Sequence, residues 1–460
     1  MNIDKLQTVH FSGIGGSGMS ALARLLLKMG YMVSGSDISD NSFIQELRQL
    51  GATVFIKQTA SNLNNAHILI TSTAIKADNP EVKAAKEKSI PIYHRADCLS
   101  WIMDQFKTSI AVTGTHGKTT TSSLLARAYS FTEKQPSFAI GSVLNDFNVN
   151  AMLGDSDLFI AEADESDGSF LCLHPTHAII SNLEEDHMDY FKSFESLMDH
   201  FHRFVDDVTK RGGKLFLNAD DKNLITVSKK ANSDNIEWFG IDSPAKYQAR
   251  STLFSTEGSA FNFFVNGKML ARIQLKLYGT HHVYNALSVA ALMHSEGISV
   301  DIIKEGLEAF SGVKRRFEFI GEHDGIQVYD DYGHHPTEII TTLEGIKKSS
   351  GKRLICIFQP HRYSRTHYLL DKFTKVFDSA DTVIITDIYS AQEQNIFGVS
   401  SESLVNNLKD HKHPNVSYIE DKDSISSYLA PKLSDGDLVV TMGAGDVHQV
   451  SKTLLNELNR

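Results

Sequence analysis

One stretch constrains the possible fold of this chain more than any other segment. It runs from Ala111 to Thr121 and reads Ala-Val-Thr-Gly-Thr-His-Gly-Lys-Thr-Thr-Thr. An apolar run that ends at Val112 predicts a short buried strand, and apolar residues at helical spacing predict a helix from about Thr120 to Tyr129. A glycine turn with Gly-Lys-Thr between a strand and a helix is typical of polyphosphate-binding loops. We therefore expect an α/β domain with a nucleotide phosphate site at this turn.

The residue types in this loop suggest individual roles. Lys118 would bring a full positive charge to the phosphates, and the hydroxyl of Thr119 would bind Mg²⁺. The usual pattern has a glycine five positions before Gly117, where this chain has Val112, so the loop is a shortened variant. The predicted phosphate-binding residues are Gly114, Thr115, His116, Gly117, Lys118, Thr119 and Thr120.

Length and charge limit the class of protein. A chain of 460 residues is too long for one ordinary core, and its net charge of −11 argues against a broad nucleic-acid-binding surface. The three cysteines lie far apart without the spacing of a metal site, which is usual in a reducing cytoplasm. No apolar run approaches about 18 residues, so we expect no membrane span.

A second glycine turn lies near the N-terminus. A predicted strand, Val9–Phe11, is followed by Gly13-Ile-Gly-Gly-Ser-Gly18 and a helix, and the next strand ends at Asp37. This pattern binds a diphosphate, but its glycines do not distinguish a nicotinamide or flavin dinucleotide from a UDP-sugar. Continued alternation of strands and helices predicts a parallel α/β domain over residues 1–106.

Acidic residues follow two strands of a predicted second domain, residues 107–312. The strand 158–161 runs into Glu162-Ala-Asp-Glu-Ser-Asp167, and the strand 178–181 runs into a segment that contains Asp186, His187 and Asp189. Ligands bind at the carboxyl ends of parallel strands, and oxygen ligands beside a phosphate loop favour Mg²⁺. A solvated acidic loop is the alternative interpretation.

Polar loops also follow the strands of a third predicted α/β domain, residues 313–460. One loop contains His334 and His335, and another contains Arg362 and Arg365, whose forked donors suit a carboxylate or a phosphate. An ATP site that faces two other ligand sites suggests an enzyme that activates a carboxylate by phosphoryl transfer and joins it to an amine.

Several of these motifs, in this order, resemble the Mur ligase family of peptidoglycan synthesis. They are Gly-Thr-His-Gly-Lys-Thr-Thr-Thr, Glu-Ala-Asp-Glu-Ser-Asp, the Asn…Asp-His of 182–187, Asn285, Arg-Arg-Phe-Glu and Asp-Asp-Tyr-Gly-His-His-Pro-Thr-Glu. The resemblance implies three α/β domains: a Rossmann-like domain, a central ATPase-like domain and a C-terminal Rossmann-like domain. Segments 11–20 and 358–366 are similar to the members that add the first amino acid, which implies UDP-N-acetylmuramate and L-alanine as substrates, ATP and Mg²⁺ as cofactors, and a monomer or homodimer.

The resemblance also implies roles for individual residues. Lys118, His187, His334, His335, Arg362 and Arg365 would be catalytic or would hold the amino acid and the reacting carboxylate. His281, Asn285, Arg316 and Asp331 would contact ATP, although from the residues alone His281 is equally well a capping or surface histidine. The metal positions would be Thr119, Glu162 and His187. The UDP-sugar would bind Gly13, Gly15, Gly16, Ser17, Gly18, Asp37 and Ser72.

Some positions depart from the family pattern, and some alternatives remain. Lys57-Gln58 stands where the family usually has Gly-His, His282 where it has Asn, and Ser142 where it has Gly. One rival is the family member that attaches a whole tripeptide to the same nucleotide, which typically has Ala at the position of Glu338. A dehydrogenase or a nucleotide-binding regulator would use the first glycine turn without chemistry at Lys118.

Overall fold

Three separate sheets, each with helices packed on it, organise the computed structural model. It describes residues 1, 3–133, 135–229, 231, 233–255, 258–391, 393–411 and 413–459. The sheets confirm the predicted α/β class with parallel-sheet units at both ends and a central unit between them. The exact boundaries after residues 106 and 312 stay predictions.

The elements of the N-terminal unit are β1 Thr8–Ser12, α1 Ser17–Lys28, β2 Met32–Asp37, α2 Ser42–Gln49, β3 Thr53–Ile56, β4 Ile68–Thr71, α3 Pro80–Glu87, β5 Ile92–His94 and α4 Arg95–Met103. Its sheet is parallel throughout, with strand order β3-β2-β1-β4-β5. The order reverses beside β1, and open α/β sheets bind ligands at such a switch point. The predicted glycine turn therefore sits at the usual ligand edge.

The central sheet combines parallel and antiparallel strands. Its elements are β6 Thr108–Thr113, α5 Lys118–Tyr129, β7 Ser137–Leu144, β8 Val149–Met152, β9 Leu158–Glu162, β10 His177–Ile180, α6 Met188–Phe191, α7 Phe194–Lys210, β11 Lys214–Asn218, α8 Lys222–Ser228, β12 Ile236–Gly240, β13 Tyr247–Ser255, β14 Gly258–Val265, β15 Lys268–Leu275, α9 Thr280–Ser295 and α10 Val300–Ala309. The strand order is β15-β14-β13-β12-β11-β10-β6-β9-β7-β8, and β13 to β15 pair antiparallel as predicted.

The elements of the C-terminal unit are β16 Glu318–His323, β17 Ile326–Asp331, α11 Pro336–Ser350, β18 Leu354–Phe358, α12 Tyr363–Tyr368, β19 Thr382–Ile385, α13 Ser401–Asp410, β20 Val416–Tyr418, α14 Ile425–Leu429, β21 Leu438–Met442 and α15 His448–Leu458. Its sheet has the order β16-β17-β21-β18-β19-β20, and the edge pair β16–β17 is antiparallel. The inner strands β18 and β21 are fully buried, as expected for apolar runs between helices.

Helix α9 begins at Thr280, directly after Gly279, whose φ is 115°. Its first two turns contain the buried polar residues His282 and Asn285, which interrupt the spacing of apolar residues that indicates a helix. Among the described residues, no helix combines the length and apolar character that a membrane crossing requires.

Lys57 occupies a backbone conformation that favours glycine, with φ 94°. Its N–H donates to the carbonyl of Asp37 at 2.7 Å, and its own carbonyl accepts from Asn62 Nδ2 at 2.9 Å. These two hydrogen bonds hold Lys57 in a left-handed backbone conformation that is strained for a residue with a Cβ. The glycine that the family usually has at this position would adopt it without strain.

We expect Lys57→Gly to stabilise the protein by about 0.5–1 kcal/mol, because relief of the left-handed strain exceeds the larger unfolded-state entropy of glycine. Urea denaturation followed by circular dichroism measures this change. Lys57→Ala is the matched control, since it removes the charge but keeps a Cβ. An equal gain from Lys57→Ala would show that backbone strain is not the cause.

Candidate active site

A cavity of about 1340 Å³ lies where the loops of the three sheets meet. Every domain supplies part of its wall, so the predicted sites face one common space. Lining residues among those predicted are Gly16, Ser17, Gly18, Ser72, Thr115, His116, Gly117, Lys118, Thr119, Glu162, His187, Arg316, His334, Arg362 and Arg365.

The phosphate loop joins β6 to α5 with two glycines in conformations that L side chains rarely adopt. Gly114 has φ 125° and Gly117 has φ 82°. A Cβ at position 114 would overlap Ser181 Oγ, and one at position 117 would lie 2.7 Å from Asn285 Oδ1. The loop therefore needs glycine at both places, for backbone conformation and for space.

Lys118 is the first residue of α5, and its side chain folds back onto the loop that precedes the helix. Its Nζ donates to the carbonyls of Gly114 and Thr115 at 2.7 and 3.0 Å and to Glu165 Oε1 at 2.8 Å. Burial lowers the pKa of Lys118, but Glu165 and Asp164 more than offset it, so the pKa is raised and the ammonium stays charged. Burial raises the pKa of Glu165 to about 7.

Thr119 and Glu162 form an oxygen pair on the cavity wall. Thr119 Oγ1 donates to Glu162 Oε1 at 2.9 Å, and Glu162 Oε2 accepts from the N–H of Gly141 at 2.8 Å. A hydroxyl and a carboxylate in contact at a phosphate loop have the donor chemistry that Mg²⁺ prefers. The residues present therefore fit a magnesium ion at this point.

His187 lines the same cavity, at the start of α6, with φ 56°. Its Nε2 is 3.5 Å from Asp186 Oδ2 and 3.7 Å from Glu165 Oε1. Burial lowers the pKa of His187, so its imidazole is neutral at pH 7 and has a nitrogen lone pair to offer a metal ion.

The acidic segment Glu184–Asp189 contacts the C-terminal domain at several consecutive positions. The partners are Thr337 Oγ1 to Glu184 at 2.6 Å, Lys372 to Glu185 at 2.8 Å, Arg365 to Asp186 at 3.3 Å and Arg362 to Asp189 at 3.5 Å. Both side chains of the Arg365–Asp186 pair are less than a tenth exposed. This segment thus brings both predicted arginines to the central domain.

Glu338 connects the remaining predicted residues of the C-terminal domain. Its carboxylate is 3.3 Å from Arg316 NH1 and accepts from the N–H of His334 at 3.1 Å. The carboxylate of Asp331 instead accepts from the N–H groups of Phe317 and Gly333, each at 2.7 Å. Asp331 therefore shapes the loops that carry Arg316 and His334.

Several predicted residues lie outside the described cavity wall. His335 caps α11, accepting from the N–H of Thr337 at 3.4 Å, and its Nε2 is 3.3 Å from the carbonyl of Glu185. Asn285 lies behind Gly117, and the ring of His281 lies 3.9 Å from that of His282. Others outside the wall are Gly13, Gly15, Asp37, Gly114, Thr120 and Asp331.

In the N-terminal domain the glycine turn is fixed from both sides. Asp37 Oδ2 accepts from the N–H of Gly15 at 2.8 Å, so this acid holds the turn itself. Ser17 Oγ donates to the carbonyl of Gly141, at 2.7 Å, and the carbonyl of Ser17 accepts from Asn150 Nδ2, at 2.9 Å. The turn is thereby bound to the central sheet.

His116 links the phosphate loop to both neighbouring carboxylates. Its Nε2 is 3.7 Å from Glu184 and its Nδ1 is 3.6 Å from Glu338, and its ring lies 4.5 Å from that of His335. Ligand atoms of His116, Glu184 and His335 lie within 4.8 Å of one another. The ion pairs of His116 and the capping contacts of His335 account for this cluster without a metal ion.

This geometry predicts a pH-dependent contact between the domains. Burial alone would lower the pKa of His116, but Glu184 and Glu338 raise it to about 9. A folded-state pKa above the unfolded value of about 6.5 stabilises the fold fully below pH 6.5, and the effect is lost as pH rises through about 9. We expect the difference in melting temperature between the wild type and His116→Gln to be largest near pH 6.5 and to vanish by about pH 10. A difference that grows with pH would contradict this assignment.

Three carboxylates of this site were not predicted from the sequence as individual site residues. Glu165, Asp186 and Glu338 each pair with a predicted cation, namely Lys118, Arg365 and Arg316. Glu165 and Asp186 stand in the acidic clusters after β9 and β10, which is a usable signal. Glu338 was noted only as a difference between family members.

Family comparisons agree with this arrangement. Three family models match in chain order: the Mur ligase family catalytic domain at residues 8–107, the Mur ligase middle domain at 112–293 and the Mur ligase glutamate ligase domain at 315–445. The chain belongs to the Mur ligase family. Mur ligases are ATP-dependent, which agrees with the phosphate loop at the centre of this Mur ligase.

Relatives of this Mur ligase share its full length. The UDP-N-acetylmuramate–L-alanine ligase of Geobacter sp. (strain M21) is 41% identical over 99% of this chain and 98% of its own, and that of Aquifex aeolicus is 39% identical over 99% of each. Among solved structures, UDP-N-acetylmuramate-alanine ligase MurC from Thermotoga maritima is 28% identical with a TM-score of 0.83, covering 98% and 99%. Murein peptide ligase from Psychrobacter arcticus is 27% identical with a TM-score of 0.72, covering 99% of each.

Proposed function

We propose that this Mur ligase joins L-alanine to the carboxylate of UDP-N-acetylmuramate, with ATP converted to ADP and phosphate, in the synthesis of peptidoglycan precursors. The observation that carries the proposal is the single cavity shared by the phosphate loop, the N-terminal glycine turn and the Arg362–Arg365 loop. Full-length relatives named for this reaction support the choice of substrates.

In this proposal the phosphate loop binds ATP. Backbone N–H groups at the start of α5 and the ammonium of Lys118 would bind the β- and γ-phosphates, with Arg316 facing them from the C-terminal domain. Lys118 must exchange its partner Glu165 for phosphate when ATP binds. Asn285, against Gly117, and His281 would lie toward the adenine, while Asp331 would contact the ribose.

Magnesium would be held by Thr119 and Glu162, and His187 would be a ligand of a second metal ion. Bound beside the phosphate loop, such ions would neutralise charge on the phosphates during transfer. Glu162 is aimed by the N–H of Gly141, and His187 is neutral, so the chain's own residues keep the ligand atoms available.

The joining step needs an activated carboxylate and a positioned amine. The sugar carboxylate would attack the γ-phosphorus, ADP would leave, and the resulting acyl phosphate would be attacked by the amine of L-alanine with loss of phosphate and a proton. Arg362 and Arg365 would bind carboxylate or phosphoryl oxygens through their forked donors, and His334 lies in the same wall. Catalysis here depends on positioning and electrostatics.

The glycine turn Gly13–Gly18, with Asp37 and Ser72, would bind the UDP part. Ser17 and Ser72 line the same cavity as Lys118, so the sugar carboxylate can reach the phosphate loop. The cysteines Cys98, Cys172 and Cys356 are free thiols, in keeping with a cytoplasmic site of reaction.

Phosphate release tests the proposal. We expect release from ATP to require UDP-N-acetylmuramate, L-alanine and Mg²⁺ together, and to stop when EDTA removes the metal. Glycine, L-serine and the L-Ala-γ-D-Glu-meso-diaminopimelate tripeptide, each offered alone, measure the selectivity. Release without the nucleotide sugar, or a preference for the tripeptide, would overturn the assignment.

The tripeptide-adding reaction is the second candidate, since the murein peptide ligase structure also covers nearly the whole chain. Its TM-score of 0.72 is lower than the 0.83 of the alanine ligase structure. The carboxylate of Glu338 pairs here with Arg316 at 3.3 Å, which an alanine at this position could not do. Both observations favour alanine addition.

A further inference from the structure

Glu81 is a carboxylate buried in the N-terminal domain, with no exposed surface. It stands in the first turn of α3, after the capping residue Asn79. Glu81 is not among the residues that line the cavity described above. Burial of a charged carboxylate costs free energy unless several hydrogen-bond donors surround it. The partners of Glu81 therefore indicate its role.

Four side chains surround the Glu81 carboxylate. Ser12 Oγ donates to Oε2, Ser36 Oγ donates to the same oxygen at 2.7 Å, and Asn62 Nδ2 donates to Oε1 at 2.8 Å. His10 Nε2 lies 3.3 Å from Oε1. Burial raises the pKa of Glu81, but these hydrogen bonds more than offset it and the pKa is lowered, so the group is ionised at neutral pH.

The donors sit at the ends of the elements that form the glycine turn. Ser12 ends β1 directly before Gly13, and Ser36 lies in β2 directly before Asp37. The carbonyl of Ser36 accepts from the N–H of Gly13, at 2.8 Å, and of Ile14, at 3.0 Å. The turn is therefore hydrogen-bonded to a residue that Glu81 holds.

The same helix start also holds the loop after β3. Asn62, a donor to Glu81, also donates to the carbonyl of Lys57, and Asn79 Nδ2 donates to Gln58 Oε1 at 2.6 Å. Lys57-Gln58 is the pair that replaces the family's usual Gly-His. The first turn of α3 thus fixes the glycine turn and this loop relative to each other.

We propose that Glu81 is a positioning residue for the nucleotide-sugar site: its carboxylate sets the shape of the glycine turn and of the 57–62 loop without touching the ligand. This inference rests on the proposed function, because it concerns how the same substrate is bound. The ATP site lies in another domain, on the phosphate loop after β6. Loss of Glu81 should therefore weaken the binding of UDP-N-acetylmuramate and leave the binding of ATP unchanged.

Binding of UDP-N-acetylmuramate to the full chain, measured by calorimetry without ATP, tests the proposal. We expect Glu81→Gln to weaken this binding about tenfold, the effect of losing one charge-assisted hydrogen-bond arrangement. The KM for ATP should change less than twofold. Glu87→Gln, an exposed acid at the end of the same helix, is the matched control and should bind like the wild type.

Circular dichroism establishes that each variant is folded. If Glu81→Gln does not fold, Ser36→Ala removes a single donor and should weaken binding about threefold. Unchanged binding in the folded variant, or equal losses for the nucleotide sugar and for ATP, would overturn the inference. Failure of the wild type to bind UDP-N-acetylmuramate would overturn the proposed function instead, so the two failures are distinguishable.

Discussion

Replacement of Lys118 by alanine is expected to lower substrate-dependent phosphate release by about 10³-fold, because it removes the charge that the proposed function places against the transferred phosphoryl group. A coupled phosphate assay with all substrates saturating measures this change. The ammonium is mostly buried and donates to the carbonyls of Gly114 and Thr115 at 2.7 and 3.0 Å, so the loop itself fixes its position.

Lys107→Ala is the matched control for this experiment. Lys107 is an exposed lysine just before β6, and its loss should leave the rate within twofold of the wild type. Nucleotide-sugar binding should survive in Lys118→Ala, since that site lies in the N-terminal domain. A Lys118→Ala enzyme that keeps more than a tenth of its activity would show that the phosphate loop does not carry the phosphoryl transfer.

The second large effect is expected at Arg365. Arg365→Ala removes the counter-charge of Asp186, a carboxylate only 7% exposed, and breaking a buried pair costs about 3–5 kcal/mol. The same change removes a donor that the proposal assigns to the substrates, so kcat/KM for L-alanine should fall by about 10²–10³-fold. Calorimetric melting and steady-state kinetics measure the two effects separately.

A double variant separates structure from chemistry at this pair. Asp186→Asn in the Arg365→Ala background removes the uncompensated charge and should restore most of the melting temperature, while activity stays low. Arg203→Ala, an exposed arginine on α7, should change neither property. Recovery of activity together with stability in the double variant would reduce Arg365 to a structural role.

The parts of the site formed by local sequence could be predicted. Gly114 and Gly117 were predicted as the glycines of the turn between strand and helix, and the structure has them in that turn with φ of 125° and 82°. The family assignment and the α/β class are likewise confirmed, since strand and glycine-turn patterns are local. The roles assigned to individual site residues stay predictions.

The parts formed by tertiary contact could not be predicted. Glu338 meets His116 only because the C-terminal domain packs over the phosphate loop, and no spacing in the sequence records that contact. The predicted role of His335 at the substrates stays a prediction, and in the structure its side chain caps α11. A capping histidine and a ligand-binding histidine look alike in a sequence, because only the backbone around them differs.

The paired cations of the cavity have a consequence for turnover. Lys118, Arg316 and Arg365 each have a carboxylate partner already, at 2.8, 3.3 and 3.3 Å. Binding an anion there exchanges one partner for another, so the net gain is smaller than the new contact alone would give. If these cations hold the phosphates as proposed, the same carboxylates compete with ADP and phosphate for them after the reaction. The site would thereby favour departure of its products, the step that limits many well-evolved enzymes.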